Sequence, residues 1–125
     1  MMALSTSQEN YLKTIYILKK ETGTVRSIDM ALYMGLSKPS VCAAVKQLQV
    51  LGYIVKDTSG IIELTDSGKT QAELVFERHC FFEQKLLEAG VSPEQAHIDA
   101  GRLEHAVSEE SFKALKRAGE LSFAK

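Results

Sequence analysis

The amino-acid sequence predicts a mainly α-helical chain. A winged helix-turn-helix is expected in residues 1–68 and a further helical region over 69–125. Three observations carry this. Short amphipathic segments follow one another at helical spacing. A tight turn at Gly35 separates two of them. A strand–turn–strand pattern with a polar, glycine-containing tip comes directly after.

The first helix is expected over residues 7–20, where Tyr11, Leu12, Ile15, Tyr16 and Leu18 form an apolar stripe. Ser5 or Ser7 can cap it, and Glu9 lies near the positive end of its dipole. Residues 21–24 break it. A short second helix follows over 27–34, with Ile28, Ala31 and Leu32 as its expected buried face. Gly35 ends it because glycine tolerates positive φ. The third helix opens at Ser37-Lys38-Pro39-Ser40. Ser37 is the cap, and Pro39 falls in the first turn, where a missing amide hydrogen costs little. Val41, Ala44, Val45, Leu48 and Leu51 then recur every three or four residues until Gly52. Ala31 is small where the second and third helices must cross, as two short helices meeting at a steep angle require.

Two β-rich runs, 53–56 and 61–64, flank Asp57-Thr58-Ser59-Gly60 and predict the wing. Thr65 and Asp66 start a long helix that stops at Gly90, with Gly68 weakening its start slightly. Ser92-Pro93-Glu94 opens a helix over 93–105. Ser108 caps a last one, whose apolar side carries Phe112 and Leu115.

Composition restricts the function classes. Hydrophobic residues at 45% and charged residues at 25% of 125 are ordinary for a soluble globular chain. No apolar run is long enough to cross a bilayer. The opening residues lack the basic segment and apolar core of a signal peptide, so a cytoplasmic location is expected. Cys42 and Cys80 stand far apart, which argues against a disulfide framework and suits a reducing compartment. The net charge of −1 does not advertise a nucleic-acid partner, but only a local basic surface is needed for one. No nucleophile, phosphate loop or water-excluding lid is visible, so enzymatic activity is not expected.

With Val41, Val45 and Leu48 turned to the core, Lys38, Ser40, Cys42, Ala43, Lys46 and Gln47 take the outer or flanking faces of the third helix. The first turn of such a helix enters the major groove. Ser37, Pro39 and Ser40 keep that turn small, so its amides can approach phosphates. Lys38 and Lys46 supply charge, while Arg26 before the second helix and Lys56 at the base of the wing can reach neighbouring phosphates. The Ala43 methyl can touch thymine but cannot hydrogen-bond a base. Specificity per subunit is therefore limited, and a dimer reading two half-sites would supply the rest.

All three histidines lie in the second half. His79 and Glu83 are four apart and share a helix face. On the next helix His97, Gly101 and Glu104 fall on nearly one face, with His105 at its edge. Facing helices with these groups can surround a divalent transition ion. The same spacing also describes an ordinary ionic pair of His79 with Glu83, and a surface pair of Glu104 with Arg102.

The order of SQENYLKTIYIL, SKPSV, VKQLQVLGY, IELTDSGK, ERHCFFEQKLL and HIDAGRLEHAVSEE resembles the diphtheria toxin repressor and manganese transport regulator family of metal-dependent transcriptional repressors. The resemblance covers nearly the whole chain. It implies a homodimer whose N-terminal part binds double-stranded operator DNA and whose second part dimerises and binds manganese or ferrous iron, with cobalt or zinc as alternatives. No membrane or small-molecule substrate is implied. The chain stops before the SH3-like domain of longer members would begin, so it resembles the short form. By the resemblance, His79, Glu83 and His97 fall on one set of metal ligands, and Glu104 and His105 on two ligands of the other. That second set normally takes further side chains at the positions held here by Asn10 and Gly101. Asparagine offers a neutral oxygen and glycine nothing, so this set is expected to bind more weakly or with altered selectivity. Rival readings keep the fold without the metal, as a regulator sensing oxidation through Cys42. Others use the helices as a small metalloenzyme, or the wing as a protein-interaction module.

Overall fold

The structure, a computed structural model, describes residues 4–123, with side chains placed as far as residue 119. The last two residues of the C-terminal LSFAK stretch lie outside the described residues. Among the described residues, six helices and one hairpin follow in order: α1 (Thr6–Thr22), α2 (Ser27–Met34), α3 (Lys38–Val50), β1 (Ile54–Lys56), β2 (Ile62–Leu64), α4 (Asp66–Glu88), α5 (Pro93–Ala106) and α6 (Glu109–Phe123). The chain forms two compact units that meet within α4, one ending at Leu74 and the other starting at Val75.

In the first unit α1 begins in a reciprocal cap. Gln8 N donates to Ser5 Oγ at 3.1 Å and Ser5 N to Gln8 Oε1 at 2.9 Å, so Ser5 rather than Ser7 is the cap. Tyr11, Leu12, Ile15 and Leu18 are buried, as the stripe predicts, and Tyr16 is half-buried. Gly35 takes φ +66°, which turns the chain sharply from α2 into α3. The face of α2 departs from expectation. Met30, Ala31 and Ser27 point inward, while Ile28 and Leu32 are 46% and 76% exposed. On an eight-residue helix Met30 fills the space against α1 and α3 with a long unbranched side chain, and Ile28 and Leu32 are rotated out. Leu51 is likewise exposed, whereas Val41, Val45 and Leu48 are buried as expected.

The strands pair antiparallel, Ile54 with Leu64, Val55 with Glu63 and Lys56 with Ile62. Ile54 and Ile62 face the core, and Ile62 N donates to Val25 O at 2.8 Å, which ties the wing to the segment before α2. At the tip, Asp57 Oδ1 accepts from Ser59 Oγ (2.7 Å), Ser59 N (2.9 Å) and Ile61 N (2.9 Å). The Ser59 hydroxyl first, and the Ile61 amide next, hold the Asp57 carboxyl below its ordinary value.

The start of α4 explains Gly68. Thr65 Oγ1 accepts from Gly68 N at 3.1 Å and donates to Gly52 O at 2.7 Å. A Cβ on Gly68 would lie 1.9 Å from the Tyr53 carbonyl oxygen. The glycine that weakens the helix by propensity is thus the residue that lets the helix seat against the end of the α3–β1 link.

In the second unit Phe81 meets Phe112 edge to face at 5.3 Å, joining α4 to α6. Lys116 Nζ reaches Glu77 Oε1 at 2.6 Å across the same pair of helices. Ala96 and Ala100 are buried on α5, whose cap is Ser92. No described helix is long and apolar enough to cross a membrane.

Candidate metal centre and nucleic-acid interface

The i, i+4 spacing on α4 sets His79 and Glu83 on one face, one turn apart. Pro93 at the start of α5 fixes where that helix begins, and His97 follows one turn later. Three donor atoms come together. His97 Nδ1 is 3.0 Å from Glu83 Oε2 and 3.3 Å from His79 Nε2, and the last two are 3.9 Å apart. Ligand atoms about 2.1 Å from one cation, at tetrahedral or octahedral angles, lie roughly 3.0–3.4 Å from each other. The triangle is close to that spacing before any cation is added. Two imidazoles and a carboxylate are an intermediate donor set, suited to first-row transition ions more than to calcium or magnesium.

Glu104 and His105 do not join the triangle. Glu104 is fully buried, and its Oε2 lies 3.3 Å from His79 Nδ1, on the far side of the ring from the triangle. Its other oxygen is 3.3 Å from His105 Nε2. Glu104 therefore stands behind His79, close to Nδ1 but out of hydrogen-bonding alignment with it. The surface pairing of Glu104 considered from the sequence does not occur, because a residue on the inner face of α5 cannot reach solvent. His105 is half-buried beside it. Asn10 is half-buried on α1, in the other unit. Gly101 is half-buried, and a Cβ there would meet nothing within 4 Å, so packing does not demand a glycine.

On the first unit Ser37, Lys38, Pro39, Ser40, Ala43 and Lys46 are all exposed along one end and side of α3. Ser37 Oγ accepts from Ser40 N at 3.3 Å and donates to Ser40 Oγ at 2.8 Å, so these hydroxyls are partly spent on capping. Arg26, Lys38 and Lys56, which stand on three separate elements, line one shallow hollow of about 200 Å3. Among the described residues no carboxylate forms an ion pair with the side chain of any of the three, while the Asp29 carboxylate accepts from the Arg26 backbone amide at 2.9 Å. Lys46 stands apart from the hollow. Ser27 and Cys42 share its wall. Cys42 was readable as a flanking residue of the third helix. Ser27 carried no signal beyond its place beside Arg26.

Both parts of the chain match models of known protein families. Residues 3–60 match the model of the iron dependent repressor N-terminal DNA binding domain. Residues 65–120 match that of the iron dependent repressor metal binding and dimerisation domain. Transcriptional regulator MntR of Escherichia coli O6:H1 is 39% identical over 108 residues, which cover 86% of this chain and 70% of that protein. HTH-type transcriptional regulator MntR of Geobacillus thermodenitrificans is 33% identical over 115 residues, covering 92% and 79%. Among solved structures, the metal-dependent transcriptional regulator MtsR matches with a TM-score of 0.84 and 27% identity, over 94% of this chain and 55% of that one. The manganese regulator SloR matches at 0.80 and 28%, over 90% and 53%. The chain thus spans about half the length of these two structures. Both MntR proteins and MtsR are transcriptional regulators by name, and SloR is a manganese regulator. With both domains matched in order and 33–39% identity to curated regulators over the aligned residues, the chain belongs to the iron dependent repressor family, the metal-dependent repressors its sequence resembles.

Proposed function

We propose that this chain is a metal-activated repressor that binds operator DNA as a homodimer and controls metal-homeostasis genes. The observation that carries the reading is the convergence of His79 Nε2, Glu83 Oε2 and His97 Nδ1 within 4.8 Å. Residues 1–68 would read DNA, and residues 69–125 would dimerise and hold metal. Manganese or ferrous iron is the expected ion, with cobalt and zinc able to use the same donors. The names of the relatives, a manganese regulator and an iron dependent repressor, point the same way.

A divalent cation held by the triangle would neutralise Glu83 and fix three side chains from two helices in one arrangement. His79 and Glu83 restrain α4, and His97 restrains α5. Because α4 carries residues of both units, its restraint is the route by which metal capture biases the DNA-competent arrangement of the dimer. Metal acts only through tighter binding to that arrangement. On the DNA side, the start of α3 would enter the major groove with Ser37, Lys38, Pro39, Ser40, Ala43 and Lys46. Arg26 and Lys56 would hold phosphates beside it.

The triangle is proposed as the tighter metal site. Glu104 and His105 are proposed as ligands of a weaker one, because Gly101 on the same helix brings no side chain. Calorimetric titration of His79→Ala and His105→Ala tests the ranking, with the larger loss of affinity expected in His79→Ala. Equal losses would count against it. The function itself is tested by duplex binding at fixed ionic strength with manganese, ferrous iron, cobalt and zinc in turn. Activation by manganese or iron of about 5- to 150-fold over chelated protein is expected. Identical affinity with and without every ion would reject it.

A further inference from the structure

We propose that Cys42 is a thiol-modification site, at which exchange with an anionic low-molecular-weight disulfide releases the chain from DNA. The release half rests on the DNA-binding reading above. Cys42 is half-buried on α3 and lines the same hollow as Arg26, Lys38 and Lys56. Three cations without carboxylate partners, from the α2 cap, the start of α3 and the wing, raise the local concentration of anions at this thiol. An independent feature shares that wall. Ser27 is 7% exposed, and its hydroxyl oxygen is buried without a hydrogen-bond partner. Native structures rarely leave such a group unsatisfied, so it marks a place where a polar ligand group is wanted.

Cys80 provides the contrast within the same molecule. It is exposed, yet its hollow mixes Glu77 and Glu88 with Lys85 and Lys116, and those lysines already contact the acids at 4.0 Å and 2.6 Å. Nothing there favours an anion over a neutral reagent.

The step balances without further reactants. The Cys42 sulfur attacks one sulfur of the disulfide, and the new Sγ–S bond forms as the old S–S bond breaks. The departing thiolate carries the electron pair and takes up the proton lost by Cys42, so Cys42 is oxidised as the disulfide is reduced. The attached anionic group then fills the hollow and neutralises the cations that would otherwise face phosphates.

The test treats the full chain with oxidised glutathione and, separately, with neutral dipyridyl disulfide, and reads modification of Cys42 and Cys80 by peptide mass. The ratio of Cys42 to Cys80 rates should be at least about tenfold higher for glutathione, since electrostatic focusing raises encounter rates by that much or more. High ionic strength should erase the difference, and Lys38→Gln with Lys56→Gln should reduce it. Equal ratios for the two reagents would overturn the proposal. Duplex affinity, measured on the same samples, should drop on glutathione attachment and return with dithiothreitol. In Cys42→Ser it should not respond at all. A chain modified at Cys42 that keeps its affinity would overturn the switch. If unmodified protein binds no duplex with any ion, the repressor reading and the switch both fail, while the rate ratio still decides the site.

Discussion

Among the described residues of the first unit, every large, fully buried side chain is apolar: Leu12, Ile15, Val25, Met30, Val41, Val45, Leu48, Ile54 and Ile62. In the second the fully buried set includes the carboxylate of Glu104, with the His79 imidazole against it. Apolar burial is indifferent to ions and protons, and each such side chain is worth about 1.5–3 kcal/mol. A carboxylate out of water costs several kcal/mol unless charges or hydrogen bonds balance it. The two units therefore differ in what controls them. One is a scaffold whose stability comes from packing. The other buries ionisable side chains, whose burial depends on what balances their charge.

The largest expected effect belongs to the scaffold. Leu48→Ala should cost about 2–5 kcal/mol of unfolding free energy, measured by urea denaturation, and manganese should not change that difference. If manganese repaired it, the division between packing and sensing would fail. In the second unit, manganese at 100 times its dissociation constant should add about 2.7 kcal/mol to the stability of the native chain. It should add almost nothing in His79→Ala.

A pair of glycines sharpens the comparison. Gly68→Ala places a methyl 1.9 Å from the Tyr53 carbonyl oxygen and must displace backbone. It should destabilise by roughly 1–3 kcal/mol, as overpacking does. Gly101→Ala meets nothing within 4 Å and should stabilise α5 by up to about 1 kcal/mol through helix propensity. Thermal denaturation of both variants reads the two signs, and a shared sign would contradict the placement of one helix. The smallest effect is at the wing tip. The Asp57 carboxyl is held below its ordinary value of 3.8, so its contribution is complete above 3.8 and is lost as pH falls through the lower folded value. The Ser59 and Ile61 amide signals should report that loss in an acid titration. A midpoint at or above 3.8 would contradict the hydrogen bonds that Asp57 accepts.

Much of the scaffold was legible because local rules agree there. Gly35, Ser37 and Pro39 announce the turn and the start of α3 through backbone chemistry that depends on few neighbours. The face of α2 was not legible, because on a short helix with apolar residues on several sides only tertiary packing decides whether Met30 or Leu32 goes inward. Gly68 carried its reason in a carbonyl 15 positions earlier, invisible to propensity. At the candidate metal centre, the His79–Glu83 pair is visible from spacing, while His97 is joined to it by the resemblance, because spacing alone does not say which helices face each other. Glu104 gave no sign of burial: nothing local distinguishes a carboxylate that backs a histidine from one in water.

The central claim is that the His79–Glu83–His97 triangle captures the cation that tightens the grip on DNA. Duplex affinity with manganese and with chelator, measured side by side for the native chain and His97→Ala at one ionic strength, tests it most directly. The native chain should gain about 5- to 150-fold from manganese. His97→Ala should gain almost nothing while matching the native chain in chelator. A variant that keeps the full gain would contradict the account.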